Sequence, residues 1–467
     1  MLNKKIILLI KSFNSTEIRQ FNKFIASPYY NVNKEVILVW KHVLHNIDDI
    51  SKLEKTHLHA VLYPTKPYQD ISIRNIIMQL KSLLENYLQI SFFQKDAIAK
   101  KLVLVKQLHS RNIESAVIAE LEEINTDLQA ASIQNASYLY QTFTYQQLKQ
   151  EVLHTQFRNK ESNLDKQLDA LEKFYLAEKL KIMNLMMAHE NVLKVNYSIT
   201  NSQNVLELAS TTTYNDIPAI QLFQLSYLCF QEFEREELFA SYEIILFENL
   251  HFFQSEEQRM LLMAAINYCI KKNNLGKPHY QANLLELYKK GIASKVLFEN
   301  GYLTQYTYSN VISLCLNLKD YDFVKNFIEN DKKYLEESIQ AMYYLFNKAK
   351  YLYVQKDYKA AIRILTQNSF SDPLINVSAK MVLLKIYYEQ QEWDILDATL
   401  ENISMYIRRE LLMGYQKDSF INFVKYIKIL ARSISLSSKR KEKIKQEITI
   451  LRYLSDRKWL VEQVEIK

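Results

Sequence analysis

Apolar residues recur every three to four positions along most of the chain, which is the spacing of one face of an α-helix. A clear example is the stretch carrying Ile73, Ile76, Ile77, Leu80, Leu83, Leu84, Tyr87 and Leu88. Only four glycines and six prolines interrupt the 467 residues, and glycine and proline are the usual residues of turns. The pattern therefore predicts an all-α protein of roughly 20 to 24 helices joined by short polar turns.

Changes in this pattern divide the chain into four predicted segments. Residues 1–95 are expected to form an N-terminal helical cap domain, in which Asn14 and Glu17 cap one helix, Ser27-Pro28 ends it and Asp70 caps a longer one. The segments that follow are a long-helix region (96–217), a region of repeats (218–436) and a basic capping helix (437–467). The long-helix region is predicted to contain helices at 96–109, 112–131, 135–158, 161–188 and 189–209.

The third segment carries the signs of a repeat. Pro218 suits a first helical turn, where its missing N–H needs no partner. Further on, aromatic residues follow similar polar turns at Tyr321, Tyr358 and Trp393, which are 37 and 35 residues apart. Around the middle turn stand Ala349, Tyr358, Ala361, Leu365 and Pro373, at the spacing of a tetratricopeptide-like helix pair. The segment therefore resembles a divergent tetratricopeptide-like α-solenoid.

That resemblance implies a binding surface. The first helix of each pair in such proteins lines the concave face, which here predicts an exposed stripe of Tyr343, Phe346, Lys350 and Tyr353, followed by Ser378, Met381, Lys385 and Tyr388. Two aligned lysines flanked by tyrosines would suit a carboxylate on an acidic peptide. The alternative is that the lysine stems cover a packed face and the tyrosines seal contacts between helices.

The net charge of +7 is concentrated in the C-terminal tail. Residues 404–467 contain 15 Lys and Arg against 7 Asp and Glu. The densest run forms a predicted basic patch of Lys439, Arg440, Lys441, Lys443 and Lys445 on a helix with Ile444, Ile448, Leu451 and Leu454 on its apolar face. This patch is either a solvated outer face or a site that attracts an acidic or phosphate-bearing partner.

The N-terminal domain offers a different function. A short helix, the loop Tyr63-Pro-Thr-Lys-Pro-Tyr68 and a helix bearing Arg74, Asn75 and Lys81 resemble the helix-turn-helix half of winged-helix regulators. Residues 90–109 keep a helical pattern and predict no β-hairpin wing. A transcription regulator with DNA as partner is therefore the alternative hypothesis.

No catalytic motif is present in the sequence, and the chain is predicted not to be an enzyme and to need no cofactor, metal or small-molecule substrate. His42 and His45 near Asp48 and Asp49 are interpreted as a solvated helix end, and so is the cluster Glu232, Glu234, Glu236 and Glu237. Cys229, Cys269 and Cys315 are expected to be buried, reduced thiols. The apolar run after Lys5 is too short for a secretory leader, and no stretch is long enough to span a membrane, so a cytoplasmic location is expected.

The layout also resembles a bacterial family of all-helical proteins without a known activity. The likeness is carried by Ser27-Pro-Tyr-Tyr-Asn31, Tyr63-Pro-Thr-Lys-Pro-Tyr68 with Arg74-Asn75, Leu171-Glu-Lys-Phe-Tyr-Leu-Ala-Glu-Lys-Leu180, Leu285-Glu-Leu-Tyr-Lys-Lys-Gly291 and Trp459-Leu460. It implies no reaction. The sequence therefore favours a scaffold that binds a peptide or helical segment of a partner protein.

Overall fold

A computed structural model describes residues 3–156, 162–192, 195–409, 414–433 and 437–467. The described residues are overwhelmingly α-helical, which confirms the all-α class that the sequence predicted. Their strands are limited to one antiparallel hairpin, β1 (Phe298–Glu299) and β2 (Tyr302–Leu303). Asn300 and Gly301 form its turn with positive φ angles of 51° and 87°, the backbone that an Asn-Gly hairpin turn requires.

The described residues form 23 α-helices. The first eleven are α1 (Lys4–Lys11), α2 (Ser15–Ala26), α3 (Lys34–His45), α4 (Lys55–Leu62), α5 (Asp70–Phe93), α6 (Ala97–His109), α7 (Glu114–Gln129), α8 (Ala136–Gln156), α9 (Leu164–Val192), α10 (Ser202–Ala209) and α11 (Pro218–Gln231). The remainder are α12 (Glu236–Asn249), α13 (Ser255–Asn274), α14 (Tyr280–Ala293), α15 (Gln305–Leu318), α16 (Tyr321–Asn330), α17 (Glu337–Val354), α18 (Tyr358–Gln367), α19 (Pro373–Glu389), α20 (Trp393–Arg409), α21 (Gly414–Arg432), α22 (Ser438–Ile450) and α23 (Arg457–Ile466).

The chain forms two compact units. The first comprises residues 1–179 and 208–220, and the second comprises 180–207 and 221–467. The four-segment division made from the sequence stays a prediction. Each unit has buried apolar residues of its own, and Trp40 and Phe21 pack edge-to-face at the centre of the first, with ring centroids 4.7 Å apart.

Local signals place most helix ends correctly. Asn14 accepts hydrogen bonds from the amides of Thr16 and Glu17, and the Glu17 carboxylate accepts one from the Asn14 amide at 2.9 Å. This reciprocal capping box starts α2 as predicted, and Ser27 ends it. Pro218 is the first residue of α11, also as predicted.

Two predicted boundaries are wrong. Asp70 is the first residue of α5 rather than its cap, and its carboxylate instead pairs with Lys55 and Arg74 at 2.9 and 2.8 Å. The predicted helix at 189–209 does not exist as one element, because α9 continues to Val192 and α10 starts only at Ser202. Between them, residues 195–201 alternate apolar and polar side chains and end at Asn201, which has a φ of +57°. Asparagine tolerates that left-handed backbone better than most residues.

Five turns between consecutive helices share one backbone geometry. In each, a residue with positive φ donates its amide to the carbonyl three residues back, and the next amide donates to the carbonyl five residues back from itself. These bonds define the Schellman motif, which satisfies the last carbonyls of a helix. The positive-φ residues are Asn112, Gly276, Lys319, Lys356 and Gln391. The last three lie two residues before Tyr321, Tyr358 and Trp393, so each predicted turn joins two helices in the same way.

Contacts between helices bring distant segments of the second unit together. Helix α17 packs against both α15 and α19. Helices α22 and α23 form a C-terminal hairpin, and α23 packs against α21. Along α19 every residue from Met381 to Tyr388 is buried, which makes this helix the centre of the region analysed below.

No helix in the described part of the chain is long and apolar enough to cross a membrane. Cys229, Cys269 and Cys315 are free and buried, in agreement with the sequence. Burial raises the pKa of the Cys229 thiol to about 12 and that of Cys315 to about 11. These thiols therefore lack the low pKa and the access that reactive cysteines need.

Candidate interaction site

The stripe that was predicted to be exposed is instead covered. Tyr343, Phe346, Tyr353, Met381, Lys385 and Tyr388 are all buried, and the ammonium of Lys350 is enclosed by protein although its residue keeps some accessible surface. The expected open surface is therefore wrong. The alternative in which these side chains seal contacts between helices describes their packing better.

Four members of the stripe lie in the earlier turns of α17 and α19. Tyr343 donates its hydroxyl to the Asp372 carboxylate at 3.3 Å, and Phe346 packs edge-on against Phe370 with ring centroids 6.3 Å apart. On α19, Ser378 is half-buried and Met381 is buried. Tyr343 and Phe346 therefore connect α17 to the segment that precedes α19, and their role is packing.

The other four members converge on one site, which we call the α17–α19 site and define by Lys350, Tyr353, Lys385, Tyr388 and Glu389. Lys350 donates from Nζ to Ser313 Oγ at 2.5 Å. Burial and the neighbouring charge of Lys385 lower the pKa of Lys350 to about 8, although Asp456 acts in the opposite direction. The two ammonium groups are therefore close enough to repel each other.

Lys385 is paired with a carboxylate from the C-terminal hairpin. Its Nζ donates to Asp456 Oδ1 at 2.8 Å and lies 4.9 Å from the centroid of the Tyr353 ring. Lys385 is buried while about a third of the Asp456 side chain stays accessible. A carboxylate flanked by a tyrosine is the ligand that was predicted for this lysine, but here it comes from the same chain.

Glu389 gathers hydrogen bonds from four side chains. Tyr353 and Trp459 donate to Oε1 at 2.5 and 2.7 Å, and Lys356 donates to Oε2 at 2.9 Å. Tyr358 also donates to Oε2. Burial alone would raise the pKa of Glu389, but these donors together hold it below the usual value. Three of the donors belong to α17, α18 and the turn between them, so the carboxylate is fixed largely without α23.

Trp459 completes the contact between α23 and the α17–α19 site. Its ring packs edge-on against Tyr388 with centroids 5.4 Å apart and lies 5.9 Å from the ring of Phe423 on α21. The next residue, Leu460, and Val464 one turn beyond it are fully buried. The start of α23 therefore presents an acidic residue and, three positions later, a tryptophan to α19.

Sequence reasoning missed Glu389, Asp456 and Trp459. Glu389 ends a helix within Tyr-Tyr-Glu, and nothing local marks it as a buried acceptor. Asp456 and Trp459 lie about seventy residues from their partners, with separations of 71 and 70 positions. Helical periodicity identifies residues on one face of a helix, but it does not say which segment covers that face.

The predicted basic patch is partly used within the C-terminal hairpin. Lys439, Arg440 and Lys443 are exposed on α22. Lys441 donates to the backbone carbonyl of Glu465 at 3.0 Å, and Lys445 pairs with the Glu465 carboxylate at 2.8 Å. Two of the five cations thus hold the last turn of α23, while three face solvent.

Two of the cations that the helix-turn-helix alternative needs for DNA form ion pairs within the protein. Arg74 Nη2 lies 2.8 Å from Asp70 Oδ2, and Lys81 lies 3.6 Å from Glu85. Residues 97–109 form helix α6, as the sequence predicted when it offered no wing. A carboxylate at the start of α5 would repel phosphate where a recognition helix meets DNA.

The remaining acidic and histidine clusters have structural partners. Asp48 pairs with Lys11 at 2.7 Å, and His42 contacts the Lys52 carbonyl at 3.2 Å. Glu236 binds Lys272 at 3.3 Å and also pairs with Lys277, which holds the Glu236 pKa at about 2. Within the described ranges, no group of three or more His, Cys, Asp or Glu side chains is placed to hold a metal ion.

Comparison with known protein families, with curated proteins and with solved structures found no match for this chain. The contacts of the α17–α19 site therefore carry the functional argument.

Proposed function

We propose that this protein is a non-enzymatic interaction scaffold that binds a helical segment of a partner protein at the α17–α19 site. In this proposal the helix pairs joined by Schellman turns stack as a tetratricopeptide-like solenoid, and the protein acts in the cytoplasm. The observation that carries the proposal is the docking of α23, because it displays what the site accepts: a short helix with a carboxylate on Lys385 and a tryptophan on Glu389 and Tyr388.

The chemistry of the site supports binding rather than reaction. Lys385 and Glu389 present opposite charges on adjacent turns of α19, so one ligand helix can donate to one and accept from the other. The tyrosine rings around them add contact area at a low cost in side-chain entropy. Such a site suits the helix-in-groove mode of recognition, in which a few anchors spaced along a partner helix carry most of the affinity.

The experiment compares the partners captured by three forms of the full-length chain: the parent, Lys385→Met and Lys359→Met. Lys385→Met keeps the length of the side chain and removes its charge, whereas glutamate would bury an unpaired carboxylate. Lys359→Met is the matched control, because Lys359 lies exposed on α18. Both variants should keep the helical circular dichroism of the parent.

We expect affinity capture from the source cells, analysed by mass spectrometry, to recover one or more proteins with the parent and with Lys359→Met. The same proteins should be depleted about tenfold with Lys385→Met. Equal recovery by all three forms would show that the α17–α19 site is not where partners bind.

A further inference from the structure

We propose that α23 is an intramolecular mimic of the partner and contacts the α17–α19 site in the free protein. A partner would then have to displace α23 with a helix that carries the same kinds of side chain. The inference rests on the proposed function and adds to it both the sequence character of the partner and a regulatory step. The partner helix would begin with an acidic residue, carry an aromatic residue three positions later, and continue with a leucine-like residue directly after it and a valine-like residue four positions further on.

The attachment of α23 is of the kind that a competitor can replace. Helix α23 has only 10 residues, and two of them, Leu460 and Val464, are fully buried. Its contacts with α19 are the Asp456 ion pair, which is open to solvent on the carboxylate side, and the hydrogen bond and ring packing of Trp459. It also packs against α21 and α22. A helix this short is marginal by itself in water, so it persists through these contacts.

The site would keep its shape after α23 leaves. Glu389 would retain Tyr353, Tyr358 and Lys356 as donors. Lys385 would retain the Tyr353 ring but lose its carboxylate, and Lys350 would lose the nearest charge that favours its protonated form. Two neighbouring ammonium groups without a carboxylate would then attract an acidic side chain from outside.

The loop before α23 is the point at which α23 would separate from the rest of the unit. Ser455 and Ser419 hydroxyls lie 2.7 Å apart, and Asn422 donates to the Tyr453 carbonyl at 2.9 Å, so the loop is tied to α21. Asp456, directly after these anchors, has a left-handed backbone with φ of +48°. Detachment of α23 beyond residue 455 would leave the loop tied to α21, but it would also break the hydrogen bonds from Arg457 to the carbonyls at the end of α22 and the Lys445–Glu465 ion pair.

The test uses a fluorescein-labelled synthetic peptide of residues 453–467 and three forms of the full-length chain. The released variant carries Asp456→Asn with Trp459→Ala, since asparagine keeps the left-handed preference and removes the charge. The third form adds Lys385→Met to the released variant. A peptide with Asp456→Lys and Trp459→Ala is the control ligand.

We expect fluorescence anisotropy to show the labelled peptide binding the released variant at least about tenfold more tightly than the parent chain. Lys385→Met and the control peptide should each abolish that binding. Failure of a folded released variant to bind overturns the inference, and so does equal binding by the parent chain.

A second measurement covers the case in which the released variant does not fold. In the parent chain, excess peptide should accelerate hydrogen exchange at the amides of 457–466 and leave 381–388 unchanged, because only α23 detaches. No acceleration would contradict the inference. If partner capture depends on Lys385 but the peptide changes neither anisotropy nor hydrogen exchange, the displacement of α23 is refuted and the scaffold function stands. If the peptide binds but no partner is captured, the scaffold function is refuted and the displacement of α23 stands.

Discussion

At the α17–α19 site, side chains with polar ends are buried among helices: Lys385, Tyr353 and Tyr388 all have little accessible surface. The 3.6-residue period identified residues that share one face of α17 or of α19. The predicted exposure was wrong, because Asp456 pairs with Lys385 and Trp459 packs against Tyr388 from a segment some seventy positions away. The residue types on these helix faces were therefore predictable from the sequence, but the segment that covers them was not.

Lys350 gives a prediction about pH. Its pKa is about 8 in the folded protein, below the ordinary lysine value of 10.5, so between these values the unfolded chain binds more protons. Stability from this group must then increase as pH rises from about 8 to about 10. We expect Lys350→Met to be more stable than the parent by about 1–3 kcal/mol at pH 7.5, and the difference to shrink by pH 10.

Urea unfolding at both pH values measures this difference. Buried thiols and tyrosines lose stability above pH 9 in both forms, so the comparison between them isolates Lys350. Exposed Lys359→Met serves as the control and should stay within about 0.5 kcal/mol of the parent throughout. A Lys350→Met effect that does not change with pH would mean that the lysine is protonated in the folded protein across the whole range.

Among the elements, the turns show how a chain with four glycines reverses direction. Only one of the five Schellman turns uses glycine, Gly276, and the others force asparagine, lysine or glutamine into the left-handed region. A second glycine, Gly301, makes the β-hairpin turn, and a third, Gly291, has no room for a Cβ, which would lie 2.5 Å from Leu262. Glycine is thus kept where geometry demands it most and omitted elsewhere.

These turns yield a prediction at Gln391, whose φ is +62° and whose side chain is exposed. Gln391→Gly should raise the free energy of unfolding by up to about 1 kcal/mol, because the left-handed strain disappears, although the added freedom of the unfolded chain offsets part of the gain. Lys325→Gly, in the exposed interior of α16, should instead cost about 1 kcal/mol. Thermal or urea unfolding of the two variants measures both effects. If Gln391→Gly destabilises the protein as much as Lys325→Gly does, the left-handed residue at position 391 is not strained.

Helix positions were largely predictable because periodicity and caps are local. The capping box at Asn14 and the start of α11 at Pro218 follow from side-chain and ring geometry alone. The break between Val192 and Ser202 was missed, although Val195, Tyr197 and Ile199 alternate with polar residues and so depart from the helical period. The left-handed conformation of Asn201 is seen only in the backbone. The Asn300-Gly301 hairpin was visible as a dipeptide signal but was hidden by the helical pattern around it.

Across the whole molecule, charge is segregated along the sequence. Residues 1–95 contain 13 Lys and Arg against 7 Asp and Glu, residues 404–467 contain 15 against 7, and the residues between contain 31 against 38. Both ends are therefore basic and the middle is acidic. Such a distribution attracts polyanions through long-range electrostatics without reading their sequence.

This distribution predicts how the full-length chain treats duplex DNA. We expect weak retention at about 50 mM salt that is lost by about 200 mM, with equal affinity for unrelated sequences, because phosphate contacts carry no sequence information. Lys439→Glu with Lys443→Glu, two exposed cations of the basic patch, should weaken this retention more than Lys325→Glu with Lys359→Glu, which lie in the acidic middle of the chain. Electrophoretic mobility shifts over a salt series measure both effects. A tenfold preference for one sequence that survives at the higher salt would instead favour the regulator hypothesis, since base contacts rather than net charge would then determine binding.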